Sequence, residues 1–112
     1  VEVRTVYLLF CQGRVALRRR GPRGLLAGLW EYPNELADGT DWPASWGLDT
    51  VPLERLGAGK HIFTHIEWLM SGVQLRVPAQ SAPAGYVWAS REQLCTTYTL
   101  PGAFRAYKPL LL

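Results

Sequence analysis

The segment V-R-T-V-Y-L-L-F-C, Val3–Cys11, most restricts what this chain can fold into. Its branched and aromatic residues read as a strand, and its middle, from Val6 to Phe10, is apolar at odd and even positions alike. Successive side chains of a strand point to opposite faces, so such a run needs cover on both sides and belongs in the middle of a layered sheet. Gln12-Gly13 is a two-residue hairpin signal. The return strand, Arg14–Arg20, sets Val15 and Leu17 on one face and its charges mainly on the other. Gly21-Pro22-Arg23-Gly24 breaks it.

Further along, Leu25–Pro33 is apolar, punctuated by glycine and closed by proline, which predicts a loop leading into a short strand. Asn34–Pro52 is polar and acidic with little periodicity. Within it, Asp41-Trp42-Pro43 predicts a short helix through about Trp46, with aspartate as cap and proline in the first turn. Leu53–Leu56 starts another strand, which passes Gly57-Ala58-Gly59. Ile66–Val77 is a long strand, Pro78–Gly85 a loop and Tyr86–Ala89 a short strand. Ser90 caps a helix, with Gln93 at the capping-box position. Pro101 opens a C-terminal helix whose Phe104, Tyr107, Leu110 and Leu111 share a stripe, and Pro109 clips its end. This order predicts an α+β domain, a mixed or antiparallel sheet packed against helices.

With 112 residues, nearly half of them apolar and five of them tryptophan, the chain is expected to form one globular domain. No stretch approaches the roughly 18 continuous apolar residues of a membrane span. The start, Val1-Glu2-Val3-Arg4, lacks a signal-peptide layout and an initiator methionine, which suggests a piece of a longer protein. Cys11 and Cys95 lie far apart with no C-x-x-C pattern, so no metal site within the chain is expected; free cytoplasmic thiols fit better than a disulfide. Charge is segregated. Residues 1–23 hold six arginines against Glu2, residues 24–54 hold six acids and no Lys or Arg, and the remainder is basic again. Arg18, Arg19, Arg20 and Arg23 form the densest basic cluster. Such a run is compatible with a phosphate-facing edge, although a short one is more often a solvated hairpin end.

Both histidines fall in K-H-I-F-T-H-I-E-W, Lys60–Trp68. As an extended run, His61, Phe63 and His65 alternate with Ile62, Thr64 and Ile66. A turn at Phe63-Thr64-His65 would instead project an aromatic ring, a hydroxyl and an imidazole from one tip. The residues alone leave both open, along with a plain hairpin carrying two surface histidines. Trp30, Tyr32, Trp68 and Trp88 read as packing aromatics.

The string L-L-A-G-L-W-E-Y-P at Leu25–Pro33 resembles the segment preceding the catalytic box of Nudix domains, where G-L-W-E-F-P runs into Gly-Gly. In Nudix hydrolases the box continues as G-x5-E-x7-R-E-x-x-E-E-x-G, and its glutamates hold the divalent metals that polarise a pyrophosphate. Here Asn34 replaces the first glycine, Thr40 stands at the first glutamate position, and no R-E-x-x-E-E occurs between Asp41 and Leu56. The resemblance therefore implies a Nudix-like fold without the hydrolytic carboxylates.

Together, L-L-A-G-L-W-E-Y-P and H-I-F-T-H resemble the C-terminal Nudix-like domain of bacterial adenine DNA glycosylases of the MutY family, whose loop usually reads H-x-F-S-H. The likeness extends to the T-V-Y-L-L strand, the Tyr86–Leu94 segment and a tail of the form P-x-x-F-x-x-Y-K. It implies a module that recognises 8-oxoguanine opposite adenine in duplex DNA during base excision repair, in the bacterial cytoplasm at the nucleoid. Phe63 would pack beside the lesion's base step, Thr64 would take the serine position that bonds the oxidised edge, and His65 would help report the lesion. His61 and Lys60 flank these residues, and Lys60 with Arg18, Arg19 and Arg20 are the candidates for phosphate contact. No catalytic residue and no cofactor are expected in this chain. The family's catalytic acid and 4Fe-4S cluster belong to a separate N-terminal domain, the expected intramolecular partner, for which Leu25–Trp30 is a candidate face. The alternative is a stand-alone Nudix hydrolase of oxidised nucleotides with a degenerate box. A generic protein-interaction domain would leave H-I-F-T-H unexplained.

Overall fold

A computed structural model describes residues 1–23, 27–62, 67–80, 82–98 and 100, with side chains except those of 53–62 and Cys95. The expected C-terminal helix from Pro101 onwards lies outside the described residues. The strands are β1 (Glu2–Cys11), β2 (Arg14–Arg19), β3 (Trp30–Glu31), β4 (Asn34–Leu36), β5 (Val51–Ile62), β6 (Glu67–Arg76) and β7 (Tyr86–Ala89). Two short helices, α1 (Trp42–Ser45) and α2 (Arg91–Thr96), complete the described elements.

The sheet runs β3-β2-β1-β6-β5, with β4 also paired to β1 and β7 to β2. β1 and β6 are parallel from Glu2↔Trp68 to Phe10↔Arg76, whereas the other pairings are antiparallel. β1 is central and buried on both faces, as its composition requires. Val6 and Leu8 join Val15, Leu17, Tyr32, Trp68 and Leu94 in one cluster. Tyr7, Leu9 and Cys11 join Ala16, Leu48 and Leu75 in the other. The β1–β2 turn has Gln12 at φ 50° and Gly13 at φ 77°. Two successive positive φ values match the twist of a two-residue hairpin, and glycine carries the second without a Cβ penalty.

Both predicted caps form. The Asp41 carboxylate accepts from Ala44 N, and Pro43 occupies the first turn of α1. In α2 the Ser90 hydroxyl accepts from Gln93 N while the Gln93 side chain accepts from Ser90 N. Cys11 is a free, buried thiol. Among the described residues no helix is long and apolar enough to cross a membrane.

Two readings of the sequence are corrected. Asn34–Leu36 is a strand rather than part of an irregular connection, and β5 starts at Val51 rather than Leu53. Both follow from pairing. β1 and β2 are matched only beside their turn, at Phe10↔Val15 and Cys11↔Arg14, which leaves the other half of that β1 edge open for β4. β5 stays on β6 by shifting register between Pro52 and Glu54 and again between Arg55 and Ala58, irregularities that absorb surplus residues without ending a strand.

Candidate nucleic-acid interface

The separation of β1 from β2 creates a densely charged place, lined by five arginines and two glutamates. On one side of β2, Arg18 and Arg19 pair with Glu31 and Trp30 of β3, while β4 takes the edge of β1. Residues 31–35 therefore cross the gap between the two strands, and they bring Glu31, Asn34 and Glu35 with them. Glu31 is only 2% exposed. A carboxylate so buried needs partners, since removal from water costs several kcal/mol. It has three: Arg18 Nε at 2.7 Å, Arg20 Nη1 at 2.8 Å and Asn34 Nδ2 at 2.8 Å.

The network extends in two directions. Asn34 Oδ1 accepts from Arg4 Nη1 at 2.9 Å, and Arg4 also bonds Glu2. Arg18 donates through Nη2 to Glu35 at 3.0 Å and to the Asn34 carbonyl, and through Nη1 to the Tyr86 hydroxyl at 3.3 Å. Burial pushes the Arg18 guanidinium towards its neutral form, but Glu31 outweighs that and holds it well above the usual arginine range. Arg4 and Arg20 both stand over the Trp68 ring, 4.7 and 5.4 Å from its centroid, in cation–π geometry.

The arginine cluster is thus divided in its tasks. Arg18 is largely buried and bonded inside the fold through all three of its nitrogens, so at this position the run is not a solvated hairpin end. Arg20 is tied to Glu31, and Arg19 is exposed with Nε bonded to the Gly28 carbonyl. Sequence reasoning left Arg4 out of the site because it stands alone in the chain; only the β1–β4 pairing brings it to Asn34. Of the packing aromatics, Tyr32 and Trp68 are fully buried, whereas Trp30 and Trp88 are half-buried. Leu29, within the candidate interdomain face, is exposed, and residues 25 and 26 of that face lie outside the described ones.

Lys60 and His61 lie on β5, opposite Leu69 and Trp68 of β6. Phe63, Thr64 and His65 fall outside the described residues. The backbone on either side of them is in register, with Ile62 paired to Glu67.

A Nudix-like fold raises the question of a divalent cation, and the donors present do not fit one. Magnesium requires several carboxylate oxygens converging in octahedral geometry. Next to the position of the family's glycines, both oxygens of Glu31 and Oε1 of Glu35 are engaged by guanidinium groups. Asp38 and Asp41 are exposed and occupied in bonding Thr40 N and Ala44 N. Among the described residues no group of three or more His, Cys, Asp or Glu could hold a metal.

A family model described as "NUDIX domain" matches residues 5–108. Adenine DNA glycosylase of Mus musculus is 30% identical, over 84% of this chain and 22% of that protein. The Rattus norvegicus adenine DNA glycosylase is 29% identical over the same shares. The chain thus spans about a fifth of the length of these curated relatives. Among solved structures, the C-terminal domain of mouse MUTYH, in its complex with human PCNA, matches with a TM-score of 0.76 at 25% identity, over 99% of this chain and 86% of that one. The MutT protein from Methanosarcina mazei Go1 shares the fold, with a TM-score of 0.73 at 21% identity over 98% of this chain and 91% of that one. With its mixed sheet, its few helices and a family match running almost from end to end, the chain belongs to the NUDIX domain family.

Proposed function

We propose that this domain is the lesion-recognition module of a longer A/G-specific adenine DNA glycosylase, and that it reads 8-oxoguanine opposite adenine in duplex DNA. The observation that supports the reading is the strand pairing that flanks H-I-F-T-H. Its first two residues end β5, and β6 resumes in register with them at Glu67. β6 is in turn bonded along its length to the central strand. Similarity to rodent adenine DNA glycosylases and to the MUTYH C-terminal domain supports the same reading.

The chemistry follows from the lesion. Oxidation gives the Hoogsteen edge of guanine a ring N–H donor and a carbonyl. The Thr64 hydroxyl, both donor and acceptor, responds to that exchange, while Phe63 packs against the base step and His65 and His61 line the same approach. One neutral hydrogen bond contributes only about 0.5–1.5 kcal/mol, so the loop supplies discrimination. Affinity comes from phosphate contacts, for which Lys60 and, of the basic run, Arg19 and Arg20 are the candidates once Arg18 is engaged inside the fold, with Arg19 more accessible than Arg20. Excision itself belongs to the catalytic domain of the parent protein, the intramolecular partner. A nucleotide-hydrolase role has the arginine-bound Glu31 and Glu35 against it.

The test is duplex binding by the full-length parent, comparing 8-oxoguanine:adenine with guanine:adenine, for the native protein and Thr64→Ala. The substitution is expected to lower the lesion preference several-fold and leave undamaged binding unchanged. An unchanged preference would overturn the reading.

A further inference from the structure

The gap between β1 and β2 holds an open cavity of about 310 Å3, at the lower end of the range for small-ligand sites. Five arginines line it: Arg4, Arg18, Arg19, Arg20 and Arg23. Against them stand two carboxylates, Glu31 and Glu35. Like charges at this density repel unless something compensates. Glu31 and Glu35 offset only part of the excess.

The arginines are held in two ways. Arg4, Arg18 and Arg20 are partly buried and fixed, by Asn34, by Glu31 with Glu35, and by Glu31 respectively. Arg4 and Arg20 are also stacked on Trp68. Their guanidiniums are preorganised, so placing a ligand among them costs little side-chain entropy. Arg19 and Arg23 are exposed at the rim. Among the described residues Arg23 has no ion-pair partner, and Arg19 bonds only through Nε, to Gly28 O. Their remaining N–H groups have the fork geometry that matches a phosphate.

We propose that this cavity binds a phosphate group without any divalent cation, with Arg19 and Arg23 as direct ligands and the fixed arginines supplying the positive field. In the family's hydrolases metals bring positive charge to a pyrophosphate; here guanidinium groups occupy the carboxylates and bring the charge themselves. The proposal deepens the phosphate role given above to Arg19 and Arg20 and rests on that reading only for where the phosphate comes from, which is either the duplex backbone or a free nucleotide.

Isothermal titration of the 112-residue chain with inorganic pyrophosphate tests it, first in EDTA and then with added Mg2+. Binding is expected in EDTA and is not strengthened by Mg2+. The double variant R19Q/R23Q should bind at least about ten-fold more weakly, as two charge-assisted contacts are lost, with an unchanged circular dichroism spectrum because both side chains are exposed. Absence of binding in EDTA, dependence on Mg2+, or equal affinity of the double variant would each overturn the proposal. Displacement of pyrophosphate by a short undamaged duplex assigns the phosphate to the DNA backbone; displacement only by a nucleoside diphosphate assigns it to a nucleotide. If pyrophosphate binding fails while the Thr64-dependent lesion preference persists, this proposal falls and the lesion reading stands. The opposite result removes the lesion reading and leaves the cavity.

Discussion

Arg18 Nε lies 2.7 Å from Glu31 Oε2, and that carboxylate is almost wholly out of water. The pair joins β2 to β3 in the part of β2 that is no longer matched to β1. Replacing such a pair by apolar residues can be harmless, but removing one partner leaves the other buried with fewer partners.

Glu31→Ala takes from Arg18 and Arg20 the carboxylate they share, while Arg18 keeps Glu35, and is expected to destabilise the domain by about 1–3 kcal/mol. Urea denaturation of the chain measures this. A loss below about 1 kcal/mol would be in the range of an exposed ion pair and would mean that water reaches the site freely.

At the lesion-reading segment, Thr64→Ser keeps donor and acceptor and should keep discrimination. Thr64→Ala should cost about 1 kcal/mol of lesion preference, the value of one neutral hydrogen bond. Phe63→Ala should weaken lesion binding by about 1–3 kcal/mol, in line with aromatic–base stacking. Equilibrium binding by the full-length parent decides. If Phe63→Ala changes only the melting temperature, the ring is a packing residue.

Phosphate contacts leave a different mark. Lys60→Gln and Arg19→Gln should weaken lesion and undamaged duplexes alike, and each should reduce the slope of log K against log salt by about 0.9. A changed lesion preference with an unaltered slope would assign these residues to base reading instead.

Alkaline pH reports on the core. Burial raises the Tyr32 phenol well above its ordinary value of about 10, and burial also raises Tyr7 and Tyr86. Between the unfolded and folded values the native state binds more protons, so this stability is complete below about pH 10 and is lost as pH rises beyond it. For Tyr32 the fall is at most about 1.4 kcal/mol per pH unit. Tyr32→Phe should flatten the decline above pH 10 in melting curves; an unchanged profile would show that Tyr32 ionises as readily folded as unfolded.

Elements whose causes lie within a few residues were legible in the sequence. Val6–Leu9 is apolar on both faces and is buried in two clusters; Gln12-Gly13 turns the hairpin; Asp41 and Ser90 cap the helices where they stand. So was the family, since L-L-A-G-L-W-E-Y-P and H-I-F-T-H are contiguous strings. Contacts between distant residues were not. Asn34-Glu35-Leu36 carries no strand signal and is a strand because β1 presents an open edge to it. Arg18 looks like one more solvated charge in an arginine run, yet it is buried, because β3 and β4 deliver Glu31 and Glu35 to it from 13 and 17 residues away. Periodicity reports which face a side chain takes, and it is carried by neighbours along the chain. Whether that face meets water, a carboxylate or an indole depends on which strands close on it, and only the tertiary pairing decides that.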